Sequence, residues 1–353
     1  MSEPAKQAPG RDNLLDRPLN RRREDVEFDP GSLGMAPISL EVLVVGQPCP
    51  ADLFLPLYDR DQGQVSMTMA CRLGEEFREL WRDRLLEAQQ RAVFVSLDQL
   101  PLVSEYFQRH AAPLLDDPEL PLPRKQLLVM ELSALNLCEA FASDLSPREL
   151  RRAVKTTGWL LQRVTNDEGL LGNLSQLLRS DYCAYTHSVN VGLVAMAFGR
   201  YLNLTTSRVE SLGMAGMLHD LGRAKLPEGL CGKPGPLSEA EWALVRSHPL
   251  RGYQMLTTIP SVSLEVLKMV LHHHENADGS GYPQGLTVER TPLGARILRV
   301  VDAYDAMTSP RPHRPAMSAR EAAACILEQS PDQFGEDIGP RFVRFLASPF
   351  MGC

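Results

Sequence analysis

The sequence predicts a mainly α-helical protein in which a small α/β domain precedes a larger all-helical domain. Three observations support this prediction. Short β-branched runs end by about residue 112, helix signals dominate from there to the C-terminus, and all histidines except His110 fall between residues 187 and 313. The histidines therefore place the chemistry of this protein in its helical part.

The composition is that of an ordinary globular protein. The chain has 353 residues, of which 44% are hydrophobic and 23% charged, and this length is sufficient for two domains. No apolar run approaches the roughly 20 residues needed to cross a bilayer, so we expect no membrane span. The net charge of -7 weighs against DNA as a partner, but it leaves open a local cationic pocket for a small phosphate ligand.

The cysteines indicate a reducing compartment. All seven are scattered along the chain, their number is odd, and none forms a CxxC pair. This distribution favours neither a disulfide framework nor a zinc knuckle. We therefore expect a cytoplasmic protein.

The N-terminal third divides into a leader and a small domain. Residues 1–36 are polar and are predicted to be a disordered leader, in which the basic run 21–23 is a solvated tail or an interaction patch. The runs ISLEVLVV, QVSMTMA and AVFVSL flank the helical stretch GEEFRELWRDRLLEAQQ, which predicts an α/β domain over 37–112. We interpret it as a regulatory or dimerising module, which makes a second copy of this chain a candidate partner.

Helices follow from residue 113 onward. Residues 113–170 are predicted to be a helical linker, in which Ser146, Pro147 and Glu149 form a capping box at the start of one helix. A second capping box, Ser238 to Glu241, begins another helix further along the chain. Nothing in this part of the chain has the alternation of a strand.

Several polar side chains lie on otherwise apolar helices. His187 shares a helical face with apolar residues, where a histidine is more often a core residue than a ligand. His219 and Asp220 follow the apolar helix SRVESLGMAGML, and Asp302 and Asp305 lie within ARILRVVDAYDAM. Burial would penalise all of these groups unless they were paired or coordinated to a metal.

Further histidines complete a candidate metal centre. His248 precedes Pro249 at a predicted helix start, and the amphipathic helix SLEVLKMVLHHHE ends in His272, His273 and His274. Imidazole and carboxylate ligands without cysteine favour iron or manganese, leave zinc open and disfavour calcium. The ligands exceed the needs of one ion. Two ions bridged by a carboxylate would use them, holding a hydroxide for displacement at phosphorus.

The order of motifs resembles the HD-GYP family, a branch of the HD phosphohydrolases that degrades cyclic dinucleotides, chiefly cyclic di-GMP. The resemblance extends from about Asp181 to Phe345 through THSVNV, LHDLGR, CGKPGPLSEAEW, SHPLRGYQML, HHENADGSGYPQGL and RILRVVDAYDAMTSPRPHR. It implies an all-helical HD-type metal-dependent phosphohydrolase domain, which we place at residues 171–353. The expected reaction is hydrolysis of cyclic di-GMP to linear pGpG by a metal-bridging hydroxide.

The resemblance also implies a role for individual residues. The first metal would be held by His187, His219, Asp220 and Asp302, and the second by Asp220, His248, His273 and His274, with His272 as a neighbour that binds neither. Arg311 and Arg314 match positions that grip substrate phosphate, where guanidinium groups suit the task; without the resemblance they would be loop cations. A protein with a GGDEF domain is a candidate partner of the GYP loop.

Two departures from the family pattern bear on activity. In the family motif HDxGK, this chain has Arg223 in place of the lysine. By their positions in this motif, Asp220 and Arg223 are the expected catalytic residues. Lys225 lies two residues further on and is the candidate substitute cation that would bind substrate. Members with three metals carry a glutamate where this chain has Cys183, which predicts two metals. A related cyclic dinucleotide as substrate, and a catalytically weak cyclic di-GMP receptor, are the competing hypotheses.

The GYP segment is expected to form a tight loop. Gly279 and Gly281 would permit positive φ angles, and Asp278 would close an Asx turn with its own backbone. For Glu275 two interpretations are open, a carboxylate that orients a histidine and a surface carboxylate at a helix end.

Overall fold

A computed structural model describes residues 14–16, 34–59, 64–110, 112–141, 146–171, 184–227, 229–230, 233, 235–309 and 315–351. The chain divides into two compact units, Met1–Leu132 and Ser133–Cys353. The predicted domain boundaries near residues 36, 112 and 170 stay predictions.

The first unit contains a four-stranded antiparallel sheet with strand order β1-β4-β2-β3. Its elements are β1 (Met35–Ser39), β2 (Leu53–Asp59), β3 (Gln64–Cys71), α1 (Glu79–Glu87), β4 (Ala92–Ser96) and α2 (Leu100–His110). The runs QVSMTMA and AVFVSL form strands as expected. ISLEVLVV leaves its strand after Ser39 and turns into a 3-10 helix at Leu40–Val42, because the Ser39 hydroxyl caps Glu41 N. The sequence did not predict β2.

A short part of the predicted leader packs on this unit. Leu14–Asp16 form a 3-10 turn, and the Leu15 side chain is buried. The indole Nε1 of Trp81 donates to Asp16 Oδ1 at 2.8 Å, and Arg84 Nη1 donates to Leu15 O at 2.7 Å. These contacts give residues 14–16 a fixed place, so at this point the chain is ordered where a disordered leader was expected.

Helices are the main secondary structure of the described residues of the second unit, which confirms the predicted fold class. Its helices are α3 (Leu122–Ala140, which contains the boundary between the units), α4 (Pro147–Asn166), α5 (Ala184–Tyr201), α6 (Thr206–Leu218), α7 (Glu239–Val245), α8 (His248–Thr257), α9 (Leu264–His272), α10 (Leu293–Thr308), α11 (Ala319–Glu328) and α12 (Ile338–Leu346). The capping boxes predicted at Ser146 and Ser238 are present.

No helix in the part of the chain that the structure describes combines the length and apolar character needed to cross a bilayer.

Two glycines let α5 and α6 cross with their backbones nearly in contact. A Cβ atom on Gly216 would lie 2.7 Å from the Cα of Gly192, and a Cβ on Gly192 would lie 2.6 Å from Met217 Cγ. Only the absence of a side chain permits this approach. The crossing brings His187, on α5, toward His219, which directly follows α6.

A second close approach joins the 3-10 turn Leu221–Lys225 to the start of α8. A Cβ atom on Gly222 would overlap the carbonyl oxygen of His248. Because Gly222 follows Asp220 by two residues, this contact places the Asp220 carboxylate beside the first residue of α8. The glycine of the sequence HDLGR is thus a packing requirement.

We expect Gly216→Ala to lower the free energy of unfolding by about 1–3 kcal/mol, because a methyl group would force α5 and α6 apart. The matched control is Gly158→Ala on α4, where the added Cβ meets only the flexible end of Met214 at 3.4 Å. That substitution should be neutral or stabilising by up to about 1 kcal/mol, as is usual for Gly→Ala in a helix. Urea unfolding of both variants measures the difference; equal effects would contradict the proposed packing.

Candidate metal centre

Seven imidazole and carboxylate side chains meet inside the second unit. They form two groups, Asp220 with His248, His273 and His274, and His187 with His219 and Asp302, and within each group the ligand atoms lie within 4.8 Å of one another. The residues come from α5, the end of α6, the start of α8, the end of α9 and the middle of α10. All are buried except His274, which is partly exposed. The structure therefore brings together every residue for which the sequence predicted metal binding.

Asp220 lies between the two groups and has no exposed surface. Its Oδ1 is 3.1 Å from His248 Nε2, while its Oδ2 is 3.4 Å from His219 Nε2 and 3.9 Å from His187 Nε2. None of these contacts has hydrogen-bonding geometry, so among the described residues both carboxylate oxygens are without a hydrogen-bond partner. A buried carboxylate in this position is costly unless a cation meets each oxygen.

Three histidines present a bare Nε2 atom to the centre. The Nδ1 atoms of His219, His248 and His273 each lie 2.7 Å from a backbone carbonyl oxygen three residues earlier. A carbonyl oxygen only accepts, so each Nδ1 carries the proton, and in the neutral ring Nε2 has a lone pair. This is the tautomer that a metal ligand requires.

The facing Nε2 atoms of His248 and His273 are 3.2 Å apart. In the neutral tautomer both offer lone pairs, which repel each other unless a proton or a metal ion lies nearby. Burial and the neighbouring imidazoles hold the pKa of His273 well below its usual range, and burial does the same for His274. Protonation is thereby disfavoured, and the donor set fits a divalent cation.

His187 differs from these three histidines in the partner of its Nδ1 atom. That atom lies 2.7 Å from Asp305 Oδ2, and Asn190 Nδ2 donates to Asp305 Oδ1 at 2.9 Å. Burial alone would lower the pKa of His187, but the carboxylates of Asp302 and Asp305 raise it well above its usual value in the metal-free protein. Asp305 is therefore a positioning residue, which fixes the imidazole and increases its basicity.

Arg223 adds a positive charge beside the junction of the two groups. Its Nε is 2.8 Å from Asp220 Oδ1. Burial alone would raise the pKa of Asp220, but Arg223 and His219 hold it well below its usual range. The carboxylate is consequently ionised and ready to bind cations.

The remaining predicted substrate residues are placed less fully. Lys225 is exposed at the end of the 3-10 turn, and its carbonyl oxygen accepts from Arg251 Nη1 at 3.2 Å. Arg311 and Arg314 lie outside the described residues, as does Cys183.

The GYP loop packs directly on the turn that carries His273 and His274. A Cβ atom on Gly281 would overlap the backbone nitrogen of Asn276, and the Tyr282 ring lies 4.7 Å from that of His274 at an interplanar angle of 32°. Tyr282 was not identified from the sequence as part of the site. An aromatic residue within the glycine-rich segment GSGYPQG was the signal that could have indicated it. The loop forms one wall of the centre.

The expectations for this loop are met only in part. Gly279 has the predicted positive φ of 82°, and Ser280 N donates to Asp278 Oδ1 at 2.9 Å, which is the predicted Asx turn. A positive φ at Gly281 was wrong, since this glycine is needed for close backbone approach instead.

Glu275 holds the loop in place. It is 2% exposed, and its two carboxylate oxygens accept from Gln284 N at 2.8 Å and from Leu286 N at 3.0 Å. The interpretation as a surface carboxylate was wrong. Its Oε1 also lies 3.6 Å from His272 Nδ1, and His272 belongs to neither ligand group in the described part of the chain.

Comparison with known proteins shows what this constellation is similar to. Residues 164–338 match the family model described as HD domain. The cyclic di-GMP phosphodiesterase PA4108 of Pseudomonas aeruginosa is 44% identical over 156 residues, which cover 44% of this chain and 38% of that protein. The cyclic di-GMP phosphodiesterase response regulator RpfG of Xanthomonas campestris pv. campestris is 40% identical over 139 residues, which cover 39% of this chain and 36% of that protein. The matched region spans less than two-fifths of either relative, and it confirms the predicted resemblance.

A solved structure supports the same fold. The HDG"Y"P protein Bd1817 from Bdellovibrio bacteriovorus has a TM-score of 0.63 to this chain at 18% sequence identity, covering 89% of this chain and all of the other. At this identity the likeness concerns the fold alone.

We expect Asp305→Asn to weaken metal binding at the group of His187, His219 and Asp302 by about 10–100-fold, because the amide cannot supply the negative charge that orients the His187 ring. Binding at the group of His248, His273 and His274 should change little. Calorimetric titration of the metal-free protein with Mn²⁺ separates the two sites. The exposed Asp278→Asn serves as a matched control. Equal weakening at both sites, or at neither, would contradict the assigned role.

Proposed function

We propose that this chain, which carries an HD domain at residues 164–338, is a metal-dependent phosphodiesterase that hydrolyses cyclic di-GMP to linear pGpG. One observation carries the proposal. The buried Asp220 directs one carboxylate oxygen to each of two ligand groups, and its Oδ1 also forms an ion pair with Arg223 Nε at 2.8 Å. The substrate is supported by the names of the two relatives, both of which are cyclic di-GMP phosphodiesterases.

The presence of two ligand groups supports the proposal that two metal ions would bind, with Asp220 as a shared ligand. His187, His219 and Asp302 would hold one, and His248, His273 and His274 the other. The neutral imidazoles and carboxylates suit iron or manganese, which we propose as the resident ions. When bound, such a pair supplies a hydroxide nucleophile at neutral pH and neutralises charge on the phosphodiester.

The protein's own residues orient the substrate and compensate its charge. Arg223 lies against Asp220 with its side chain 26% exposed, so a phosphate approaching from solvent meets its positive charge. Lys225 is two residues away on the same 3-10 turn. We assign both to phosphate binding, together with Arg311 and Arg314. The assignment of Arg311 and Arg314 rests only on their match to positions of the family motif. The Tyr282 ring closes the wall beside His274.

A cyclic di-GMP receptor with weak catalysis is the second candidate, and one observation favours it. Arg223 replaces the lysine of the family motif and contacts Asp220 at 2.8 Å, where a bulky guanidinium competes for the carboxylate. A GGDEF-domain partner, a homodimer and a cytoplasmic location stay predictions.

The test begins with anaerobic purification in the presence of iron or manganese. We expect two metal equivalents per chain and pGpG as the chromatographic product of cyclic di-GMP, with other cyclic dinucleotides compared under the same conditions. Asp220→Ala should lose both ions and all turnover, because it removes the bridging ligand.

The matched control is His272→Ala, which removes a neighbouring imidazole outside both groups and should keep two ions bound. Retention of one full equivalent in Asp220→Ala would exclude bridging. Two bound ions with no product from the unaltered chain would exclude the phosphodiesterase and leave the receptor.

Arg223 distinguishes the two candidate functions. If it compensates charge during turnover, Arg223→Met should lower kcat by about 100-fold or more with metal content unchanged, while Arg223→Lys should stay within about tenfold of the parent. Arg246→Met, at the exposed arginine that directly follows α7, is the control and should leave kcat unaltered. A large gain of activity in Arg223→Lys would instead show that the arginine suppresses catalysis, as the receptor hypothesis requires.

A further inference from the structure

Two cysteines of the first unit lie side by side in its core. The Sγ atoms of Cys49 and Cys71 are 2.8 Å apart, and the residues are 2% and 1% exposed. Both are free thiols. They are separated by 22 positions in the sequence, so the tertiary fold brings them together.

The backbone around the two thiols is held on both sides. Cys49 N donates to Glu75 O at 2.6 Å, and Gly74 N donates to Cys49 O at 2.9 Å. Two further bonds, from Phe77 N to Gln47 O and from Gly46 N to Phe77 O, continue the pairing of the two segments. The thiols are therefore constrained to face each other before any reaction. A disulfide bond is about 2.05 Å long, so the sulfur atoms need to approach by less than about 1 Å.

The pair is buried under a thin layer of the protein surface. Gly46 and Pro48 on one segment, and residues 72–74 on the other, are exposed. Both cysteines are thus adjacent in sequence to residues in contact with solvent. The hydrogen bond to Cys49 and burial both raise the pKa of the Cys71 thiol, which leaves Cys49 as the sulfur that attacks first.

We propose that Cys49 and Cys71 are a reversible redox site that is oxidised by hydroperoxides to an intramolecular disulfide. Cys49 Sγ loses its proton and attacks one oxygen of the peroxide; the O–O bond breaks, and the leaving oxygen takes the proton to form water or an alcohol. The resulting sulfenic acid is attacked by Cys71 Sγ. The S–S bond forms, the S–OH bond breaks, and the departing hydroxide takes the Cys71 proton as water. Two thiols are oxidised by two electrons, and one peroxide is reduced.

The Cys49–Cys71 disulfide would join two segments whose backbones are already hydrogen-bonded to each other, so the fold of the first unit should persist. The disulfide restricts the unfolded chain across the 22-residue separation, and it therefore stabilises the oxidised unit. Burial of both sulfur atoms limits access of the oxidant and makes the reaction slow, which suits a response to sustained oxidant exposure. The site is independent of the metal centre and of the proposed phosphodiesterase activity.

The experiment treats the full chain with hydrogen peroxide, blocks free thiols with N-ethylmaleimide and digests with trypsin. Cleavage after Arg23, Arg60 and Arg72 leaves Cys49 in peptide 24–60 and Cys71 in peptide 61–72. We expect these peptides to be disulfide-linked, at least about tenfold more than in dithiothreitol-treated protein, and released again by the reductant. Oxidation should also raise the unfolding temperature of the first unit by about 5–20 °C.

Variants test the order of the two steps. Cys71→Ser should accumulate the Cys49 sulfenic acid, captured by dimedone, and the double variant Cys138→Ser and Cys325→Ser should form the linked peptides as the parent does. Absence of the linked peptides while circular dichroism shows a folded chain would overturn the proposal. Linkage that forms only in urea, or oxidation that dithiothreitol does not reverse, would overturn it as well. If Cys71→Ser does not fold, the linked peptides of the parent chain decide the question alone.

Discussion

The Asp220 carboxylate is ionised in a place from which water is excluded, and the geometry around it follows from that constraint. Its pKa is held well below the usual range although burial opposes ionisation. A lone buried charge costs several kcal/mol, so positive groups have to surround it. Arg223 supplies one on the chain itself, and the converging bare nitrogens of His219 and His248 leave room for ions on both sides. The core of the second unit thus contains a buried charge in addition to its apolar side chains.

This arrangement depends on how closely the helices approach. The glycine contacts between α5 and α6, and between the turn at Gly222 and α8, bring His187, His219 and His248 within reach of a single carboxylate. Helical geometry then fixes the donors, because backbone carbonyls three residues earlier orient the rings of His219, His248 and His273. The ring of His187 is oriented by a side chain, since its Nδ1 lies 2.7 Å from Asp305 Oδ2. Backbone packing and imidazole protonation state are therefore linked.

Sequence reasoning recovered the ligand set and the helical class because motifs and helix caps are local signals. The capping boxes at Ser146 and Ser238 are decided within four residues, and the histidines stand out on apolar faces. The features that were not predicted from the sequence depend on contacts between residues that are distant in the chain. Strand β2 is recognisable only when paired with β3, and the burial of Glu275 only when the loop folds back over it. The proximity of Cys49 and Cys71 has no sequence signature, since they are 22 positions apart with the hairpin of β2 and β3 between them.

The residues that support the GYP loop lie beyond the last ligand of the candidate metal centre. The last predicted metal donor is Asp302, yet the loop's own backbone bonds run to a π-helical turn at Ser330–Phe334, with Ala277 N donating to Gln333 O at 3.1 Å and Asp278 N to Asp332 O at 2.9 Å. Arg299 joins the two by bonding Asn276 and Gln333. A fragment truncated before residue 330 would retain all seven donors and lose the support beneath Tyr282. Residues 332 and 333 thus contribute to the position of the GYP loop without being ligands themselves.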